Sequence, residues 1–178
     1  MKNSLLIGNI IIAFVNSIYL IIIGLFDLLP ATFDGNQAVM GIHFSILIDY
    51  AIFTFIISLL IELVSDIENI EGDKSQGLNT LAIALGIDKA KKVVYILSLI
   101  PIFCVFYYLK VYLFDTKLLY SLIYGILFTI LPLIYFSIKL FKANEPKEFH
   151  HLNMILKWIL FFAYLSIVVI NINIRSNA

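Results

Sequence analysis

Of 178 residues, 62% are hydrophobic and only 13% charged, far above the roughly 45–50% apolar content of soluble domains, and a soluble fold of this length cannot hide so much apolar surface. Lys plus Arg and Asp plus Glu both number 12, so the formal net charge is zero and no basic field is available to hold a nucleic-acid backbone. The single cysteine, Cys104, excludes an internal disulfide framework; inside an apolar run it reads as a small packing residue.

The chain opens with an apolar run over 5–29. After Lys2 it continues well past the ~7–15 residues of a signal-peptide h-region, and no small-residue cleavage site follows, so it predicts a membrane span. Further runs over 42–63, 93–112, 118–140 and 152–172 match the about 20 residues that a helix needs to cross a bilayer. They are continuously apolar and lack the ~10-residue alternation of barrel strands, so the fold class is all-α: a polytopic transmembrane bundle forming a single domain over 1–178. Tyrosines gather towards the ends of the runs, as does Trp158, where amphipathic rings settle at the headgroup level.

If the spans alternate, Lys2, Lys74, Lys89, Lys91, Lys92, Lys139, Lys142 and Lys147 fall on one side, and only Lys110, Lys117 and Arg175 on the other. Short loops rich in Lys and Arg stay cytoplasmic, so the N-terminus and the polar segments 66–92 and 142–151 are expected there, in a cell (inner) membrane. Segment 27–41 carries no basic residue and suits the opposite face.

The acidic stretch that begins segment 66–92 is where chemistry is to be sought. Glu62, Asp66, Asn69 and Asp73 follow one another at intervals of four, three and four, which stacks them on one helix face, while Glu68 and Glu71 point elsewhere. Like charges in a stripe repel, and at the end of a membrane helix they ask for a cation. Mg²⁺ takes oxygen ligands and is commonly held by one or two carboxylates together with substrate phosphates. Asp66 and Asp73 are its natural ligands, Asn69 a weaker neutral one, and Lys74 a point charge for phosphate oxygens. A solvated acidic loop is the bland alternative. Downstream, Asn79 or Thr80 is placed to cap a short helix that Gly86 ends, with Asp88 capping the next.

The run from Glu62 through Asp66, Asn69, Gly72, Asp73, Lys74 and Gly77 to Thr80, Leu81 and Gly86 resembles the second aspartate-rich motif of the UbiA superfamily of intramembrane prenyltransferases. The opening from Lys2 to Asn9 is similar to the segment that follows the family's Tyr-x-x-x-Lys element and starts the fifth of nine helices. The resemblance implies that the five spans are the last five. It also implies Mg²⁺-dependent transfer of an isoprenyl group from a prenyl diphosphate to an aromatic or glyceryl-phosphate acceptor, in quinone or lipid biosynthesis. Asp66 and Asp73 would be the catalytic metal ligands, Asn69 an auxiliary ligand, Lys74 and Lys2 diphosphate contacts, and Glu62 a group orienting the ligands. Two departures stand out: Asn69 replaces a frequent aspartate, and Ile61 and Ser65 replace frequent basic residues. The first motif, Asn-Asp-x-x-Asp-x-x-x-Asp in type, is absent, so a separate N-terminal half is an expected partner and the chain alone is expected to be inactive.

Two rivals remain. Asp49, inside the second run, and Glu62 would bind a coupling cation in a transporter; or the chain is a non-catalytic membrane subunit. His43, His150 and His151 are too scattered for a zinc site and read as interfacial.

Overall fold

The computed structural model describes residues 6–114 and 118–177, which among themselves form helices and no strand. Helix α1 (Ile7–Ile23) passes into a π-helical turn over Gly24–Leu28, and α2 spans Gln37–Glu68. Two short helices follow, α3 (Ile70–Ser75) and α4 (Leu81–Leu85), and then α5 (Ile87–Tyr108), which a π-helical segment extends over Leu109–Phe114. Helix α6 (Leu119–Gly125) joins α7 (Leu131–Lys142) through another π-helical turn, Ile126–Ile130, and α8 (Pro146–Asn177) completes the chain. Among the described residues five helical stretches are long and apolar enough to cross a membrane; the chain is a multi-pass integral membrane protein.

The helices outlast the apolar runs that announce them. Helix α2 takes in the polar turns before residue 42 and after residue 63, because hydropathy marks contact with lipid and does not mark where backbone hydrogen bonding stops. Segment 66–92 is correspondingly helical over much of its length. Thr80 accepts from the Ile83 N–H at 3.4 Å and caps α4, as expected. Gly86 ends that helix at φ 81°, ψ 159°, a backbone region that glycine alone enters without strain. Asp88 differs from expectation: Gly86 occupies the cap position of α5, and Asp88 sits inside the first turn, where its charge still complements the helix dipole.

Helix α2 is the centre of the bundle. Helix α1 packs along it, α5 and α8 lie against it, and α7 fits between α5 and α8. Polar pairs set the antiparallel register of α2 on α8: Tyr50 with Ser166 at 2.6 Å, Thr54 with Tyr164 at 3.0 Å, and Glu68 with His150 at 2.9 Å. Ser98 meets Ser137 at 2.9 Å between α5 and α7. Such interhelical bonds hold membrane bundles together, where lipid tails remove the hydrophobic drive. The main core of Leu60, Val64, Phe136, Leu140, Phe149 and Leu156 fills the half next to the acidic segment. The opposite half has a smaller cluster, Leu109, Leu113 and Ile130, and is less densely filled.

Candidate functional site

The acidic stripe is built by two helices that nearly continue one another. Asn69 breaks α2 from α3 with φ −100° and ψ 16°. Across the break the Asn69 N–H still donates to the Ser65 carbonyl at 3.0 Å, and the Asp73 N–H to the Asn69 carbonyl at 2.9 Å. That continuity of the α-helical pattern keeps Asp66 and Asp73, two turns apart, near one face. Both are inside the fold: Asp66 is 6% exposed and Asp73 7%.

Asp66 is held from the neighbouring helix. Asn9, buried in α1, donates from Nδ2 to Asp66 Oδ2 at 2.6 Å. A carboxylate that accepts such a bond is fixed in rotamer. Among the described residues no hydrogen bond or ion pair reaches the Asp73 carboxylate, although the Asp73 main chain is tied down at both ends. Lys74, next to it, is exposed and brings a positive charge beside the site.

The other expected members are placed differently. The Asn69 side chain is exposed and folds back, its Nδ2 donating to the Ser65 carbonyl at 3.0 Å and lying 3.3 Å from Ser65 Oγ. This local side-chain-to-backbone bond is a common alternative for asparagine at a helix end, and it leaves Oδ1 as the ligand atom on offer. Glu62 is half-buried, one turn inward of Asp66. Lys2 lies outside the described residues. Glu68 points away from the stripe, as expected, and meets His150 of α8 at 2.9 Å.

The chemistry of this donor set fits Mg²⁺. Among the described residues no group of three or more His, Cys, Asp and Glu forms a closed metal cage. Two buried carboxylates, one anchored and one without a partner, are the kind of partial site that substrate phosphates and water complete. The coupling-cation alternative fares worse, since Asp49 and Glu62 are about 140° apart around α2 at 100° per residue and share no face.

Sequence reasoning found the aspartates and passed over three supports: Asn9, His150, and Lys91, which is buried against the end of α7. Asn9 had a readable signal, a polar side chain surrounded by isoleucines in a membrane helix. Lys91 and His150 find their partners 52 and 82 residues away, and no local pattern announces that.

Helices long and apolar enough to cross a membrane, with a buried pair of aspartates at the end of the central one, define a class: polytopic membrane proteins with a polar site at a helix end. The chain belongs to the UbiA prenyltransferase family, which it matches over residues 1–166. It is 35% identical over 100 residues to the digeranylgeranylglyceryl phosphate synthase of Methanosphaera stadtmanae, a stretch that takes in 56% of this chain and 35% of that relative. No solved structure matches the chain.

Proposed function

We propose that this chain contributes the second acidic site of a prenyltransferase that moves an isoprenyl group from a prenyl diphosphate to a lipid-pathway acceptor. The observation that carries the reading is the buried pair Asp66 and Asp73, with Asn9 fixing the first and Lys74 beside the second. Of the two acceptor classes, glyceryl phosphate is favoured over an aromatic ring by the product in the relative's name, digeranylgeranylglyceryl phosphate.

Asp66 and Asp73 would hold Mg²⁺, with Asn69 Oδ1 as an auxiliary ligand. When bound, the ion supplies positive charge to offset the charge that builds on the departing diphosphate. The chain's own residues do the rest. Asn9 orients the Asp66 carboxylate, and Glu62 orients the ligand set from one turn inward. Lys74 reaches the phosphate oxygens from the open side as a mobile point charge, with Lys2 proposed as a second contact. Apolar flanks of α1 and α2 hold the lipid chain and keep water from the allylic cation once the C–O bond breaks. The lysine asymmetry supports a cytoplasmic position for the acidic segment at the cell membrane.

The test is complementation. The chain is co-expressed with the N-terminal part of the Methanosphaera relative, and transfer of a radiolabelled prenyl diphosphate to glyceryl-phosphate and aromatic acceptors is followed with and without Mg²⁺. Mg²⁺-dependent product with the glyceryl-phosphate acceptor is expected. Product formed equally well after Asp66→Ala and Asp73→Ala would refute the assignment.

A further inference from the structure

In the half of the bundle remote from the acidic segment, α2, α5 with its π-helical extension, α6 and α8 line a half-open cavity of about 360 Å³. Its size falls within the roughly 300–1,000 Å³ of small-ligand sites. It is separate from the acidic site. Asp49, which lines it, precedes Asp66 on the same helix by about 25 Å of axis, at 1.5 Å per residue, and by roughly 100° of rotation. Phe53 and Ile56, also on its wall, share the Asp49 side of α2, away from the stripe. Two π-helical segments, Leu109–Phe114 and Ile126–Ile130, contribute wall residues; such turns recur at functional sites because they re-aim side chains.

The wall is mostly hydrocarbon and carries one charge, that of the exposed Asp49. Asp49 is the sole acid among the lining residues, and no Lys, Arg or His lines the cavity. Among the described residues no hydrogen bond or ion pair engages the Asp49 carboxylate. A carboxylate within a membrane span is costly unless it faces a cavity or meets a counter-charge. Tyr107, Tyr108 and Tyr112 line the same space, the last two with ring centroids 4.7 Å apart. Tyr50 completes the rim, its hydroxyl tied to Ser166 at 2.6 Å. A carboxylate beside tyrosine rings in an apolar cavity attracts a weakly hydrated organic cation twice over, through its charge and through the quadrupoles of the rings.

We infer that this cavity is a second binding site, one for a lipophilic cation, with Asp49 as counter-charge to an amine or quaternary ammonium head and the tyrosines as its aromatic wall. Phe53, Ile56 and Leu113 take the apolar body. An uncharged hydrocarbon such as the far end of a prenyl chain makes no use of Asp49, and charge complementarity decides between the two occupants.

The experiment is equilibrium binding of tritiated dodecyltrimethylammonium to the purified 178-residue chain in a neutral maltoside detergent. Saturable binding of one cation per chain is expected, competed by unlabelled cation and not by dodecanol, dodecyl sulfate or geranylgeranyl diphosphate with Mg²⁺. The bound cation should also slow alkylation of Cys104, which lines the same cavity, and so locate the site. Asp49→Asn should weaken binding about tenfold or more, the scale of a lost charge-assisted contact. Tyr108→Leu should weaken it severalfold, with Tyr108→Phe close to the original chain. Should Asp49→Asn not fold, the Tyr108 pair carries the test. Displacement by dodecanol or geranylgeranyl diphosphate, undiminished binding in Asp49→Asn, or equal binding by Tyr108→Leu and Tyr108→Phe would each overturn the inference.

Discussion

Asn9 and Asp66 come from helices that are 57 residues apart in sequence and meet at 2.6 Å. In a low-dielectric surrounding a donor at this distance selects one carboxylate rotamer and so fixes the direction in which the carboxylate is presented. Asn9→Leu, in the complemented enzyme, is therefore expected to lower turnover by about 10–100-fold, the usual cost of losing a group that orients a metal ligand, and to raise the Mg²⁺ concentration at half-maximal rate. Initial rates across a Mg²⁺ titration check both; an unchanged Mg²⁺ requirement would show that Asn9 only packs. Asp66→Ala and Asp73→Ala should abolish transfer, and Glu71→Ala, exposed and off the stripe, should change it little. Equal losses at all three positions would mean that the stripe has no special role. The aspartates were legible because their spacing is a helix-period signal. The turn of Asn69 towards Ser65 was not, because it depends on a local competition for a free carbonyl at a helix end.

At the level of elements, the junction of α5, α7 and α8 rests on side chains that cap neighbouring helices. Lys91, only 6% exposed, donates to the Ala143 carbonyl at 2.9 Å and to Asn144 Oδ1 at 3.3 Å, with Asp88 at 3.6 Å. It brings a positive charge to the C-terminal end of α7, where free carbonyls concentrate negative charge. Glu148 in turn accepts from the main-chain N–H groups of Asn144 at 2.8 Å and Glu145 at 3.0 Å, at the start of α8. Lys91→Met leaves a buried carbonyl without its donor, a loss of about 1–3 kcal/mol. Thermal unfolding in detergent should show a clear drop for Lys91→Met and almost none for the exposed Lys92→Met; equal behaviour of the two would remove the capping role. The five spans were visible in the apolar runs, since a bilayer enforces helices of known length. Their true ends were hidden, because hydropathy does not mark where backbone hydrogen bonding stops, whereas the helical run of the acidic stripe and the short helix between Thr80 and Gly86 were legible in their spacing and caps. Lysine counting put Lys91 on the side expected to be cytoplasmic; its burial comes from packing, which that count does not read.

For the molecule as a whole, charge bears first on topology. Lysine asymmetry predicts that Ser75 and Asn36 face opposite sides of the membrane. With Cys104 replaced by serine, an impermeant maleimide should reach a cysteine at one of these positions from the cytoplasm and at the other only from outside; labelling of both from one side would refute the topology. Catalysis asks for more than correct insertion. A diphosphate carries several negative charges, and on the proposed reading Asp66 with Asp73 would recruit only part of the metal needed to offset them. The chain by itself is therefore expected to insert in membranes and to give no detectable prenyl transfer, whereas assembly with an N-terminal part bearing the first acidic motif should restore Mg²⁺-dependent product. The assay is radiolabelled prenyl transfer in purified material with and without that part. Robust Mg²⁺-dependent transfer by the chain alone would show that one acidic pair suffices, and would overturn the view that two motifs share the diphosphate between them.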